Sequence, residues 1–379
     1  MKPPPSSSRE PREGPAPEVL IFNLGYLTAV PSGGDRHLLA LSRAWAGEGR
    51  GTIVLPSFVV SGADPGGRVV AVPGRPPRGL LHLLWEYLRR TLRALALARR
   101  LPADLVLASP GLFDLLPALR HRHRHGSRVG VFLFHVPGPA GPRQGPLRRV
   151  LAKIAHGLSL RWMAGCDRIF VGNSRVREEL LERGFDPRRI ALHPPAVDAE
   201  PILAAAPERA VEVLFVGRLV EKKGIFDLLE VARRVETTFG IVGEGEERPR
   251  LEREIRQAGL AQRVRVFGGL CDGRVYALLR GSSCLLLPSY EEGYALVIAE
   301  ALLAGCSVVA YELPHYREVF GDGLSTAPPG DTEALARELA AVLARGGEAP
   351  AWDPALRAPS GAQSAASVVA ALTPPARAR

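Results

Sequence analysis

The stretch 288–305, read as Pro-Ser-Tyr-Glu-Glu-Gly-Tyr-Ala-Leu-Val-Ile-Ala-Glu-Ala-Leu-Leu-Ala-Gly, constrains the chain most. An apolar, strand-like segment at 284–287 runs into it, and a second one at 306–311 follows it. Between them the pattern predicts a loop and then a helix. The helix begins near Ala295 and stops at Gly305, a residue suited to a left-handed C-cap. Strand, loop, helix, strand is the repeating unit of a parallel sheet. It gathers the loop, the free N–H groups of the first helical turn and the positive end of the helix dipole, which is where such sheets hold anions. Glu292 falls in the loop and Glu300 on the helix, with seven residues between them. Two carboxylates beside an anion site suit a ligand that carries both hydroxyls and phosphates, such as a nucleotide sugar.

The same alternation runs through the second half. Strands are expected at 211–216, 237–242 and 264–267, each followed by a helix, so strands recur every 20–30 residues. That rhythm predicts a parallel sheet with right-handed crossovers. The first half opens in the same way: a strand at 19–23, a glycine-bearing loop (Ser32-Gly33-Gly34-Asp35-Arg36), a helix at 38–46 and a strand at 51–56. Further strands are expected at 104–109, 128–134 and 168–172, the last running into Asn173-Ser174 as a helix N-cap. His135 ends the strand 128–134, at the mouth of the sheet. His121-Arg122-His123-Arg124-His125 lacks Cys or carboxylate partners and reads as an exposed basic loop.

These observations divide the chain into a Pro-rich leader (1–18), a first doubly wound domain (19–200), a second (201–345) and a tail (346–379) with a short helix at 363–372 that can pack back on the first domain. Residues 200–208, Ala-rich with Pro201 and Pro207, read as the connector. A chain of 379 residues, 46% apolar and 23% charged, has enough material for two cores. Its four cysteines show no metal-ligand spacing and read as buried, reduced thiols of a cytoplasmic protein. No apolar run approaches the ~20 residues needed to span a bilayer, and the leader lacks the apolar segment of a signal peptide.

Charge is distributed unevenly. The net is +10, yet residues 78–165 alone hold fifteen Lys/Arg against three Asp/Glu. Within that region, 80–100 predicts a helix with Leu81, Leu84, Leu88, Leu92 and Leu95 on one face and His82, Arg89, Arg93 and Arg100 on another. Packing of the leucines on the sheet with a solvated Arg face is one reading, and binding to anionic lipid through Arg89, Arg93, Arg148, Arg149 and Lys153 is the other. Nucleic acid is disfavoured as a partner because the basic residues lack interleaved aromatics.

Arg218 and Lys223 leave the end of the first strand of the second half, so a parallel sheet aims both into the crevice that the Glu292 loop borders. Arginine contacts phosphate oxygens bidentately, and lysine adds a point charge. A diphosphate leaving group needs that charge as its bond breaks, and cations placed where charge develops supply the largest catalytic effect.

At this point the motifs match a family. Gly217-Arg218-Leu219-Val220 with Lys223-Gly224, Gly243-Glu244-Gly245, Val266-Phe267-Gly268 and the stretch 289–304 resemble the retaining GT-B glycosyltransferases of family 4, the glycosyltransferase group 1 type. The resemblance covers 209–345 specifically and 19–200 loosely. It implies two Rossmann-like domains facing each other across a cleft. Arg218 and Lys223 would bind the diphosphate, Glu300 the ribose hydroxyls and Glu292 the donor sugar. Gly243, Phe267 and Gly268, the backbone of Gly293, Tyr294 and Ala295, and Leu296 would line the donor site. His135 would stand near the transferred sugar, and Gly33 and Gly34 would form the glycine loop of the first domain. The family needs no metal and no cofactor. Tyr294-Ala295 replaces the usual Phe-Gly, and Pro195-Ala196 the usual Asn-Gly.

The function so implied is hexose transfer, with retention and without metal, from a GDP- or UDP-linked sugar to a hydroxyl of a glycan or lipid-linked acceptor. It belongs to polysaccharide or glycolipid biosynthesis, in the cytoplasm or peripherally on the inner face of the membrane. Alternatives are a catalytically silent nucleotide-sugar or lipid-binding protein of the same fold, and a nucleotide-sugar epimerase or a phosphorylase.

Overall fold

The computed structural model describes residues 17–24, 33–57, 68–75, 79–134, 146–347 and 359–373, and only the backbone of 80, 146–149 and 151–152. Residues 1–16 of the leader and His135 lie outside the described residues.

Two parallel sheets organise the chain. Strands β1 (Val19–Phe22), β2 (Gly51–Pro56), β3 (Arg68–Val72), β4 (Leu105–Ala108), β5 (Arg128–Leu133), β6 (Arg168–Val171) and β7 (Ile190–Leu192) form the first, in the order β3-β2-β1-β4-β5-β6-β7. Strands β8 (Val213–Val216), β9 (Phe239–Val242), β10 (Val264–Gly268), β11 (Cys284–Leu287), β12 (Ser307–Tyr311) and β13 (Ser325–Ala327) form the second, in the order β10-β9-β8-β11-β12-β13. The central strands read as unbroken apolar runs because helices cover both faces; β1, β4, β9, β11 and β12 are buried throughout. Strand order reverses between β1 and β4 in one sheet and between β8 and β11 in the other. Those two switch points leave the crevices where ligands bind.

On one face of the first sheet lie α2 (Leu80–Leu97), α3 (Leu112–His125), α4 (Pro146–Met163) and α5 (Ser174–Glu182); on the other lie α1 (Gly33–Gly47) and the C-terminal α13 (Gly361–Leu372). Helix α13 begins in a capping box of Ser360 and Gln363 and seats Val368 and Leu372 in the core beneath β5. His193 Nε2 and Ser364 Oγ, 2.7 Å apart, tie α13 to the end of β7. The second sheet carries α6 (Ala199–Ala204), α7 (Ile225–Arg234), α8 (Arg248–Gln257), α9 (Asp272–Gly281), α10 (Leu296–Leu303), α11 (Tyr316–Phe320) and α12 (Thr332–Ala344).

Four expectations change. The connector 200–208 is partly the helix α6, whose Ile202 is fully buried in the second core. Gly33 and Gly34 stand in the first turn of α1 and not in a loop before it. The His-Arg tract is the last turn of α3, where His121 is buried between the Leu101 carbonyl (2.8 Å) and Ser127 Oγ (2.8 Å). Among the cysteines, Cys166, Cys284 and Cys306 are buried, while Cys271 is exposed.

Helix α2 departs furthest. Its leucine stripe faces out: Leu81 is 83% exposed, Trp85 60%, Leu88 50% and Leu92 58%. The polar side faces the fold. Arg90 is fully buried and donates from Nη1 to the Leu24 carbonyl (2.8 Å) and from Nε to the Glu86 carbonyl (3.1 Å). Buried Glu86 accepts from the Arg75 N–H (3.2 Å) and pairs with Arg89 (2.8 Å). These bonds satisfy groups that would be costly to bury unpaired, and they decide which side of the helix turns inward.

Candidate active site

The switch point of the second sheet joins the two predicted motifs. The loop after β8 ends in a tight turn, Glu221–Lys223, closed by Gly224 in the left-handed region (φ 63°). A Cβ on Gly224 would strike the Pro288 carbonyl oxygen, so the backbone of one loop lies directly on the other. Tyr290 donates its N–H to the Lys222 carbonyl (2.9 Å). The contact delivers Lys223 Nζ to 2.6 Å from Glu292 Oε2 and 3.2 Å from the Glu291 carbonyl. Lys222 pairs separately with Glu291 (3.1 Å). Burial pulls the Lys223 pKa below the ordinary lysine value, and the charge of Glu292 opposes it. Arg218 is exposed on the same loop and adds to the positive field at Lys223.

The loops at the ends of β8, β9 and β10 are knitted through glycines. Gly243 (φ 141°) lies so close to the Gly217 carbonyl that a side chain would collide with it, and it donates to the Gly268 carbonyl (2.8 Å). Gly268 also has a positive φ (75°). The Phe267 ring is committed elsewhere, across Gly240 on β9 and beneath the Arg265 guanidinium (4.6 Å).

Helix α10 starts as the sequence suggests, with Ala295 as its N-cap. Ala295 is the one non-glycine residue with positive φ among those described (62°). A left-handed alanine costs of order 1 kcal/mol, so the turn that presents the first N–H groups of α10 is held by its surroundings. Gly293 and Tyr294 meet the first domain there. The Gly293 carbonyl accepts from Asn173 Nδ2 (2.6 Å), and a Cβ on Gly293 would stand 2.5 Å from the Phe134 carbonyl oxygen. Leu296 touches the space beside Gly33. The two halves are therefore in contact across the cleft.

Glu300 is 4% exposed, and it faces a residue that sequence reasoning did not single out. Arg36 of α1 reaches across the cleft, with Nη1 3.0 Å from Glu300 and Nη2 2.8 Å from Asp272. Burial raises the Glu300 pKa and the Arg36 charge counteracts it. For Arg36 burial acts downward, and the two carboxylates outweigh it. His315 and Tyr316 were missed as well. Both ring nitrogens of His315 and the Tyr316 hydroxyl are buried without a hydrogen-bond partner among the described residues. Burial, followed by the Arg175 charge, lowers His315 to about 4, and the field of Glu292 reaches both side chains. No motif marked them; a Pro-His-Tyr run after an apolar strand was the only signal. Among the described residues no three His, Cys, Asp or Glu side chains converge on a metal-sized site.

A doubly wound pair of domains, with a lysine and a carboxylate at one switch point and an arginine crossing from the facing domain, defines a two-domain transferase of the GT-B kind. The chain belongs to the group 1 GT-B glycosyltransferases: "Glycosyl transferases group 1" matches residues 203–356 and "Glycosyltransferase Family 4" matches 31–201. It is similar to a glycogen synthase of Mycobacterium tuberculosis, 26% identical over 364 residues and 86% of each chain. It is also similar to a phosphatidyl-myo-inositol mannosyltransferase of Mycobacterium leprae, 32% identical over 46% of this chain and 49% of the relative. In fold it resembles Anabaena Alr3699/HepE in complex with UDP and glucose (TM-score 0.66, 17% identity, 94% and 95% covered). It likewise resembles the sucrose-phosphate synthase of Thermosynechococcus elongatus (TM-score 0.70, 17% identity, 94% of each). The protein is thus a glycosyltransferase acting on nucleotide sugars.

Proposed function

We propose that the enzyme moves a hexose from a GDP- or UDP-linked sugar to a hydroxyl of a glycan or lipid-linked acceptor, retaining the anomeric configuration and needing no metal. The observation that carries this reading is the Lys223–Glu292 contact at the switch point. A cation and a carboxylate 2.6 Å apart occupy the junction where a diphosphate and a sugar would meet. Lys223 and Arg218 neutralise the diphosphate as the glycosidic bond breaks, while Glu292 orients the sugar hydroxyls. The N–H groups of Gly293, Tyr294 and Ala295 at the start of α10 receive phosphate or sugar oxygens, with Gly243, Gly268 and Leu296 as walls. Glu300 takes the ribose hydroxyls once Arg36 withdraws. The leaving phosphate accepts the acceptor proton on the face from which it departs. The first domain, 19–200, receives the acceptor, with His135 beside the transferred sugar, and 201–345 holds the donor.

A UDP-glucose complex of Anabaena HepE and the lipid named in the mycobacterial mannosyltransferases support the donor and acceptor classes. Attraction of the basic first domain to an anionic membrane from the cytoplasmic side, through Arg89, Arg93, Arg148, Arg149 and Lys153, is part of this reading. Incubation with UDP- and GDP-hexoses, following diphosphate release and the anomeric proton of the product by NMR, tests it. The expected result is turnover of one donor with its anomeric configuration kept. Inversion, or interconversion of the donor without an acceptor, would contradict it.

A further inference from the structure

The outward stripe of α2 has a counterpart on α4. Val150 (54% exposed), Ile154 (56%) and Leu158 (38%) recur every fourth residue along its outer side. Helices α2 and α4 both pack on α3, one on either side, so the two stripes lie on the same helical layer of the first sheet. Leu81, Leu84, Trp85, Leu88 and Leu92 on α2, with the three α4 residues, make two apolar ridges far larger than scattered surface leucines.

The charge around the ridges is of one sign. Helix α4 contains no acidic residue, and the single acidic residue of α2, Glu86, is turned inward and bonded. Arg93, Arg99, Arg100, Lys153 and Arg161 are exposed beside the ridges. A second copy of this face would set these cations against one another. An interface of anionic lipid matches both properties: acyl chains take the leucines, a tryptophan suits the headgroup boundary, and phosphates take the arginines. No described helix is long and apolar enough to cross a bilayer, so the fit is to lying on one.

We propose that the outer side of α2 and α4 is a bilayer-insertion face, with Trp85, Leu88 and Leu92 seated below the phosphates of anionic lipid. This goes beyond long-range attraction: the apolar ridges supply the affinity and the cations choose the lipid. It rests on the membrane reading above and not on the catalytic one. Arg90 of the same helix holds the Leu24 carbonyl just past β1, at the switch point of the first sheet.

The test uses the full-length protein with vesicles of phosphatidylcholine alone or mixed with phosphatidylglycerol. Binding is read by co-sedimentation and by tryptophan emission. The expected result is binding to phosphatidylglycerol vesicles that persists in part at high salt, with a blue shift that Trp85→Phe removes. The charge-neutral double variant Leu88→Gln, Leu92→Gln is expected to bind at least tenfold more weakly while nucleotide-sugar hydrolysis in solution stays unchanged. Binding abolished by salt and indifferent to the glutamines would overturn the insertion face in favour of charge alone. No vesicle binding would overturn it too, as would a dimer that the glutamines dissolve. Loss of donor turnover in every protein, with vesicle binding intact, would instead count against the catalytic reading.

Discussion

Arg36 of the first domain and Glu300 of the second form an ion pair of 3.0 Å across the cleft, and Glu300 is nearly inaccessible behind it. The carboxylate assigned to the ribose is thus engaged by the protein itself. On the proposed reading a nucleotide exchanges its ribose hydroxyls for the guanidinium, and Asp272, 2.8 Å from the same side chain, is positioned to keep Arg36. That reading makes donor binding and separation of this pair one event.

Arg36→Ala removes the competitor. Charge-assisted hydrogen bonds of this kind are worth about 1.5–3 kcal/mol, so UDP or GDP is expected to bind roughly tenfold or more tightly. Calorimetric titration measures it. Unchanged or weaker binding would mean that Glu300 does not receive the ribose.

Gly293→Ala places a methyl group 2.5 Å from the Phe134 carbonyl oxygen of the facing domain. Backbone on both sides leaves little room to yield. The halves are expected to stay apart by a few tenths of an ångström, lowering kcat by at least tenfold, because small misplacements at a reacting centre are costly. Nucleoside diphosphate affinity, which the proposed reading assigns to the second domain, is expected to fall less than kcat, because the variant keeps the N–H of residue 293. Equal losses in affinity and kcat would show that Gly293 serves the donor loop alone.

Asp114 offers a pH dependence. It is fully buried, and burial pushes its pKa from 3.8 up to about 7 despite hydrogen bonds from Ser109 (2.6 Å) and the Leu24 N–H (2.5 Å). The folded protein holds this proton more tightly than the unfolded chain does. The stability it contributes is complete below about 4 and is lost as pH rises through about 7. The loss is on the order of 4 kcal/mol. Melting temperatures of Asp114→Asn are expected to lack this decline. A variant whose pH profile parallels the parent would contradict it.

Much of the second domain was legible in the sequence because its glycines are required by geometry. Gly224 and Gly243 lie where carbonyl oxygens leave no room for a side chain, and the Gly224 contact with Pro288 brings Lys223 to Glu292. The first domain was less legible. Apolar spacing revealed the stripe on α2 but not the side it faces, which is decided by bonds from Arg90 and Glu86 to residues distant or polar. The last turn of α3 looked like a loop because His and Arg dominate it, yet His121 finds two buried partners. Arg36, His315 and Tyr316 belong to the site only through the fold, since nothing in their local spacing links them to Glu300 or Glu292.

The central claim is that Lys223 and Glu292 act on a nucleotide sugar. Single-turnover rates of parent, Lys223→Ala and Glu292→Gln with the preferred donor test it most directly. The account expects both variants to fold, as their circular dichroism would report, and to lose about 2–4 kcal/mol of transition-state stabilisation, a rate loss of roughly thirty- to a thousandfold. Parent-like rates in both variants would contradict it.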